Sequence, residues 1–211
     1  MDQLRMIKTK FESKDLVIES KETLFRGFFK MVKYRFRHRL FLGGWSPIIE
    51  REMFDRGNAS ALLAYDPSRD EVVLIEQIRV GALEHHSPWQ LEIIAGMNDR
   101  GEPPEEVIRR EAKEEAGITV TQIEPISHYY PSSGACSERL DVFIGRVDTS
   151  TAVGVHGLED ENEDIQVHVI NRAQAYQLVR SGVIENSATI IALQWLELHH
   201  GELKERWFPT E

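Results

Sequence analysis

The chain has 211 residues, 41% of them apolar, which suffices for one domain of ordinary size plus an extra element, or for two small ones. Its 8 prolines and 14 glycines are dispersed, which argues against a disordered or fibrous class. A formal charge of −10 disfavours nucleic acid or an anionic membrane as the main partner, and it means that any phosphate handled here needs a cation between it and the protein.

The opening Met1-Asp2-Gln3-Leu4-Arg5-Met6 lacks the apolar stretch of a secretion signal, and no later run approaches the length of a membrane span. Strands are predicted at residues 16–18, 28–36 and 48–54, punctuated by Gly27 and Gly43-Gly44. Arg35, Arg37 and Arg39 alternate with Phe36, His38 and Leu40, giving one basic face. This segment, taken as residues 1–55, is too thin to enclose its own core and is expected to pack on the rest of the chain or on a second copy.

A second domain, residues 56–211, opens with strands at 59–65 and 72–79 across the turn Asp66-Pro67-Ser68-Arg69-Asp70. The unbroken apolar run Val72-Val73-Leu74-Ile75 predicts a strand covered on both faces. A strand follows at 89–95. A helix is predicted at 104–116, with Pro104 in its first turn and Gly117 at its end. Strands at 123–130, 140–147 and 165–170 come next, then a helix capped by Asn171 and running to Val179, and a last amphipathic helix at 188–198. Such an order predicts a mixed sheet between helices, an α/β class. The lone Cys136 excludes an intrachain disulfide, suits a reducing compartment such as the cytoplasm, and has no helix N-terminus to activate it. His85-His86 and His199-His200 are adjacent pairs whose side chains point apart, so neither pair is read as a shared metal site.

The helix at 104–116 carries an electrostatic anomaly. Glu111, Glu114 and Glu115 lie three and four residues apart, where like charges repel, and they occupy the last turns, where the macrodipole favours cations. Arg109, Arg110 and Lys113 offset part of the repulsion. A divalent ion would offset more, and carboxylate oxygens with phosphate and water are the usual magnesium setting. A solvated acidic face is the plain alternative for a glutamate-rich helix. The wider pattern weighs against it. Gly96, Glu102, Arg110, Glu111, Glu114, Glu115 and Gly117 stand at the spacing Gly-x5-Glu-x7-Arg-Glu-x2-Glu-Glu-x-Gly, followed by Ile118.

This segment resembles the box of the Nudix hydrolase family at every fixed polar position, departing only at Ala112, where a larger aliphatic residue is usual. Residues 22–29, 72–79 and 157–164 extend the likeness to the bacterial ADP-ribose pyrophosphatase branch. The resemblance implies an α/β/α sandwich around a mixed sheet, with an N-terminal antiparallel β element that forms a homodimer. It implies Mg2+-dependent hydrolysis of ADP-ribose to AMP and ribose 5-phosphate, with Mn2+ as a substitute ion. The implied metal ligands are Glu111, Glu115, supporting Glu114 and the Ala95 carbonyl. Arg110 orients the glutamates, and Glu102 pairs with a basic group. The base that activates water maps to Glu161, assisted by Glu163, in a loop that Gly154 and Gly157 are placed to hinge. Phe28, Arg51, Arg79, Met97 and Glu138 match substrate-binding positions, Phe28 for stacking and the arginines for phosphate or base contacts.

Ser133 stands where that branch carries a proline, and the proline, Pro131, comes two residues early. This keeps GDP-mannose or another nucleoside diphosphate sugar open as the substrate. Two further classes compete: a non-catalytic ADP-ribose sensor, which has no need of a costly carboxylate cluster, and a structural dimer module, which leaves the box unexplained.

Overall fold

A computed structural model describes residues 9–99 and 101–207; Met1–Met6, discussed above, and Arg100 lie outside the described residues. The chain divides into two compact units, Met1–Arg56 with Ser132–Glu138, and Gly57–Pro131 with Arg139–Glu211.

The first unit is an antiparallel meander of β1 (Leu16–Arg26), β2 (Lys30–His38) and β3 (Ile49–Asp55). Ser132–Glu138 joins it because the Phe54 N–H donates to the Ala135 carbonyl at 2.7 Å and the Ser137 N–H donates back to the Phe54 carbonyl at 3.1 Å. β1 is longer than the predicted 16–18, since its polar stretch Glu19–Glu22 is held by pairing to β2 rather than by burial. β2 starts at Lys30, and Phe28 lies in the hairpin turn. Only Val32, Ser46 and Glu138 are buried among the unit's described residues, so it encloses almost no core. The basic face is largely neutralised from neighbouring strands: Arg35 pairs with Glu50, Arg37 with Glu19, and Arg39 stacks on Trp45.

The second unit contains β4 (Ala59–Asp66), β5 (Glu71–Ile78), β6 (Trp89–Glu92), β7 (Ile94–Met97), α1 (Pro104–Ala116), β8 (Gln122–Tyr129), β9 (Leu140–Arg146), β10 (Val155–His156), β11 (Ile165–Asn171), α2 (Arg172–Arg180) and α3 (Ser187–Trp207). The sheet runs β10-β11-β5-β4-β9-β8, with β6 on β5 and β7 on β4; only β4 and β9 are parallel, so it is mixed. β4 is buried throughout and alternates its faces. Leu62 and Ala64 join Val73 and Ile75 against Ile108, Ala112 and Ala116 of α1. Leu63 and Tyr65 join Val72 and Leu74 against Ala192, Leu196 and Leu203 of α3. Helices thus cover both faces, an α/β/α sandwich. Ala112, the departure noted in the box, is fully buried in the α1 layer.

In this unit the strand at 89–95 and the last helix also differ from the sequence reading. The strand expected at 89–95 is two strands broken at Ile93, whose N–H donates to Thr189 Oγ1 at 2.9 Å, and the ladder moves there from β5 to β4. The last helix does not stop near Leu198. Burial of Leu203 and Trp207 carries it past Gly201 to Trp207. The short strand β10 had no sequence signal. Among the described residues no helix is long and apolar enough to cross a membrane.

Candidate active site

The residues of the box are brought together because α1 packs its C-terminal half across β7. Pro104 begins the helix without needing an N–H, and Gly117 ends it in the left-handed region at φ 66°, where the Ile118 N–H reaches back to the Ala112 carbonyl at 3.0 Å. Gly96 in β7 faces the helix so closely that a Cβ there would lie 1.8 Å from Glu111 Oε1. The Glu111 carboxylate occupies the space a side chain would fill.

Glu115 is buried, at 3% exposure, and its Oε2 accepts the Ala95 N–H at 3.0 Å. Gln77 Nε2 approaches Oε1 at 3.4 Å. Burial pushes its carboxyl up to about 8, and the charges of Glu111 and Glu163 add to the rise, while the Ala95 N–H and Arg79 oppose it. Burial likewise raises Glu111, against the pull of Arg110. Arg110 is the hub of the outer cluster: Nη1 donates to Glu111 Oε1 at 2.7 Å and to Glu114 Oε2 at 3.0 Å, and Nε and Nη2 approach the Glu102 carboxylate at 3.4 and 3.2 Å. One guanidinium therefore holds three carboxylates. Arg109 instead donates to the Val120 carbonyl.

The acidic loop is tied to the end of α1. The Gly157 N–H donates to the Glu114 carbonyl at 3.2 Å, and the His156 ring covers Gly117, where a Cβ would meet His156 Cε1 at 2.6 Å. Glu163 folds over Gly157, which a Cβ would bring to 2.7 Å from Glu163 Cβ, and its carboxylate accepts the Leu158 N–H at 3.2 Å. Gly157, at φ 108°, is thus a close-packing position as well as a bend. Glu163 is half-buried, and its charge is felt by Glu111, Glu115 and Arg79. Glu161 is exposed at the tip, in a single 3-10 turn.

Arg79, at the end of β5, donates to Glu92 Oε2 from Nε at 2.9 Å and Nη2 at 2.7 Å. Met97, just past Gly96, is part-exposed. Phe28, Arg51 and Glu138 belong to the other unit. There Phe28 packs edge-on to Phe29 at 4.8 Å, Phe29 meets Phe54 at 5.2 Å, and Arg56 lies over Phe29 and reaches Glu138 at 3.4 Å. Burial raises the Glu138 carboxyl, and Arg56 opposes this. Arg51 donates to the Glu50 carbonyl at 2.7 Å. The sequence reading did not single out Arg56, Gln77 or Glu92. Glu92 had a usable signal, a carboxylate inside the apolar stretch Leu91-Glu92-Ile93-Ile94; Arg56 and Gln77 had none.

Ala95, Glu111 and Glu115 offer hard oxygen donors, as magnesium requires. Among the described residues no three His, Cys, Asp or Glu side chains gather closely enough to enclose an ion alone. A site that takes one or two carboxylates and completes its shell with substrate and water oxygens needs no such trio.

Comparison with known proteins gives the family. The NUDIX domain description matches residues 55–207. The ADP-ribose pyrophosphatase of Escherichia coli K12 is 54% identical over 198 residues, 93% of this chain and 95% of that protein. The GDP-mannose pyrophosphatase of Cronobacter sakazakii is 37% identical over 151 residues, 71% of this chain and 78% of that one. A crystal structure described as an ADP compounds hydrolase shares the fold with a TM-score of 0.66 at 19% identity, covering 88% of this chain and 96% of its own. The chain belongs to the NUDIX family.

Proposed function

We propose that this chain hydrolyses the diphosphate of ADP-ribose to AMP and ribose 5-phosphate with Mg2+, Mn2+ being able to substitute. The observation that carries the reading is the Glu111–Glu115 pair, both raised by burial, with the Glu111 carboxylate seated in the space that Gly96 leaves for want of a side chain. Full-length similarity to ADP-ribose pyrophosphatases supports the choice of substrate.

A diphosphate is a slow electrophile because its oxygens repel a nucleophile. Glu111, Glu115 and the Ala95 carbonyl would hold the divalent ion, which would supply neutralisation of those oxygens and a more acidic water. Glu114 and Arg110 support Glu111 from outside. Glu161 takes the proton of the attacking water as a P–O bond of the diphosphate bridge breaks, and Glu163 assists from the base of the same loop. Phe28, Arg51, Arg79, Met97 and Glu138 are the residues proposed for substrate grip.

A homodimer is part of the reading. The first unit leaves Ile18, Phe25 and Phe28 exposed and buries almost nothing of its own, so a second copy has apolar surface to cover. Sedimentation at micromolar concentration tests it, and a monomer there rejects it. Action in the cytoplasm fits the lone Cys136.

One observation favours a second substrate: Ser133 in place of proline, together with similarity to a GDP-mannose pyrophosphatase. Turnover of ADP-ribose and GDP-mannose at equal concentration with Mg2+ decides between them. ADP-ribose is expected to win, and a preference for GDP-mannose replaces the reading. Stoichiometric binding without release of AMP would leave a sensor. Running the reaction in 18O-labelled water identifies the phosphorus attacked.

A further inference from the structure

The break between β6 and β7 gathers Glu92, Asn186 and Thr189, polar groups that the proposed chemistry leaves unused, into one chain with Arg79. Glu92, the last residue of β6, is buried, and both its carboxylate oxygens are engaged. Oε2 accepts from Nε and Nη2 of Arg79, at 2.9 and 2.7 Å, and Oε1 accepts from Asn186 Nδ2 at 3.0 Å. Asn186 is at the same time the cap of α3: its Oδ1 accepts the Thr189 N–H and hydroxyl, both at 3.1 Å. The Thr189 hydroxyl, its proton so used, accepts the Ile93 N–H at 2.9 Å.

Each link fixes the next. Because the Asn186 carbonyl oxygen serves the helix, its amide nitrogen must face Glu92. A buried carboxylate held by an amide on one side is stabilised by a cation on the other. Arg79 supplies that cation with two of its three nitrogens, and Nη1 makes no hydrogen bond among the described residues. Arg79 also lies near enough to Glu115 and Glu163 for both to favour its charge. Glu92 fixes the guanidinium through one oxygen, Oε2, which accepts two of its N–H groups in charge-assisted hydrogen bonds.

We propose that Glu92 is a positioning residue that, locked by the N-cap of α3, fixes the Arg79 guanidinium through Nε and Nη2 and leaves Nη1 for a diphosphate oxygen. This rests on the diphosphate reading for its substrate, but the anchoring itself does not.

A double-mutant cycle with Arg79→Ala and Glu92→Gln tests it. Glu92→Gln keeps the shape and should lower kcat/KM for ADP-ribose about tenfold or more, as expected when a hydrogen bond to a charged group is lost. In the Arg79→Ala background the same change should have no further effect. Equal losses in both backgrounds would mean a merely structural role and would overturn the proposal. If Glu92→Gln melts below the assay temperature, Asn186→Ser, which keeps a capping hydroxyl and removes the amide donor, is put through the same cycle with the same criterion.

A second readout needs no turnover. In 15N-labelled protein the Arg79 Nε–H signal, identified by its loss in Arg79→Ala, should exchange slowly in the wild type and rapidly in Glu92→Gln. An unchanged signal in Glu92→Gln overturns the anchoring. If the wild type turns over no nucleoside diphosphate sugar, the diphosphate reading fails while this measurement still decides whether Glu92 holds Arg79.

Discussion

Replacing Gly96 by alanine separates the site from the fold. A Cβ at this position would stand 1.8 Å from Glu111 Oε1, 2.1 Å from Cδ and 2.5 Å from Cγ, where ordinary contact begins at 3.4 Å. The oxygen must therefore retreat by about 1.6 Å, abandoning its 2.7 Å hydrogen bond from Arg110 Nη1. Since the obstacle is a side chain with rotatable bonds, the cost to folding is a rotamer change of about 0.5–1.5 kcal/mol. Reduced freedom of the unfolded chain offsets about 0.4–1 kcal/mol of it. The melting temperature should move by no more than about 4 °C. Catalysis has no such latitude, since a displacement of about 1 Å in a positioned group can cost about a hundredfold. We expect kcat/KM for ADP-ribose to fall by about a hundredfold or more, with more Mg2+ needed for half-maximal rate. Thermal denaturation and AMP release measure the two quantities. Gly145→Ala is the control: its Cβ would press on Val120 and Leu62 in the core, so it should lower the melting temperature and leave the activity of folded protein nearly unchanged. A Gly96→Ala enzyme with activity within a few-fold of wild type would refute the assignment of Glu111.

Other expectations follow from the same geometry. Glu161→Gln should cut kcat about a hundredfold or more without changing the Mg2+ requirement, whereas Glu163→Gln, whose partner charges include Glu111 and Glu115, should change both; identical behaviour of the two would contradict the division of roles. Gly117→Ala must adopt φ 66° and also meets the His156 ring, so it should destabilise by about 1–2 kcal/mol, with part recovered when His156 is also made alanine. Asp66 and Asp70 lie below the ordinary carboxylate range. Burial would raise them, but Thr149, Arg69 and Ser68 outweigh it at Asp66, and Arg172 and Tyr65 do so at Asp70. Their contribution to stability is then present above the unfolded value of 3.8 and is lost as the pH falls through the lower folded values. Urea melts of Asp70→Asn below pH 4 should show a shallower acid dependence than wild type.

The sandwich was legible because its strands and helices are long and bear strong patterns. Val72–Ile75 reads as covered on both faces and is; Asn171 reads as a cap, and its side chain does accept the Ala173 N–H. Legibility failed where a distant residue decides. Nothing near Ile93 announces that Thr189, 96 positions on, will take its N–H and divide the strand. The length of β1 was hidden because an exposed strand has no burial pattern to display. In the candidate site the box gave the carboxylates, since their spacing on a helix is local information. It did not give their separate environments. Glu115 and Glu114 are neighbours in sequence, yet one is buried beneath β7 and the other is half-exposed beside Arg110. The partners Gln77, Glu92 and Asn186 come from three other elements, and only folding brings them near.

The short arc from Gly157 to Glu163 closes on itself, for the Leu158 carbonyl accepts the Glu163 N–H while the Leu158 N–H meets the Glu163 carboxylate. Because its near end is also fastened to the last turn of α1, the arc acts as a ruler of fixed length. Tip residues such as Asp160 can change identity freely, but inserting or deleting even one between Leu158 and Glu163 would break the closure and carry both acids away from the helix. Variation in number should therefore collect before Gly154, outside the measured span.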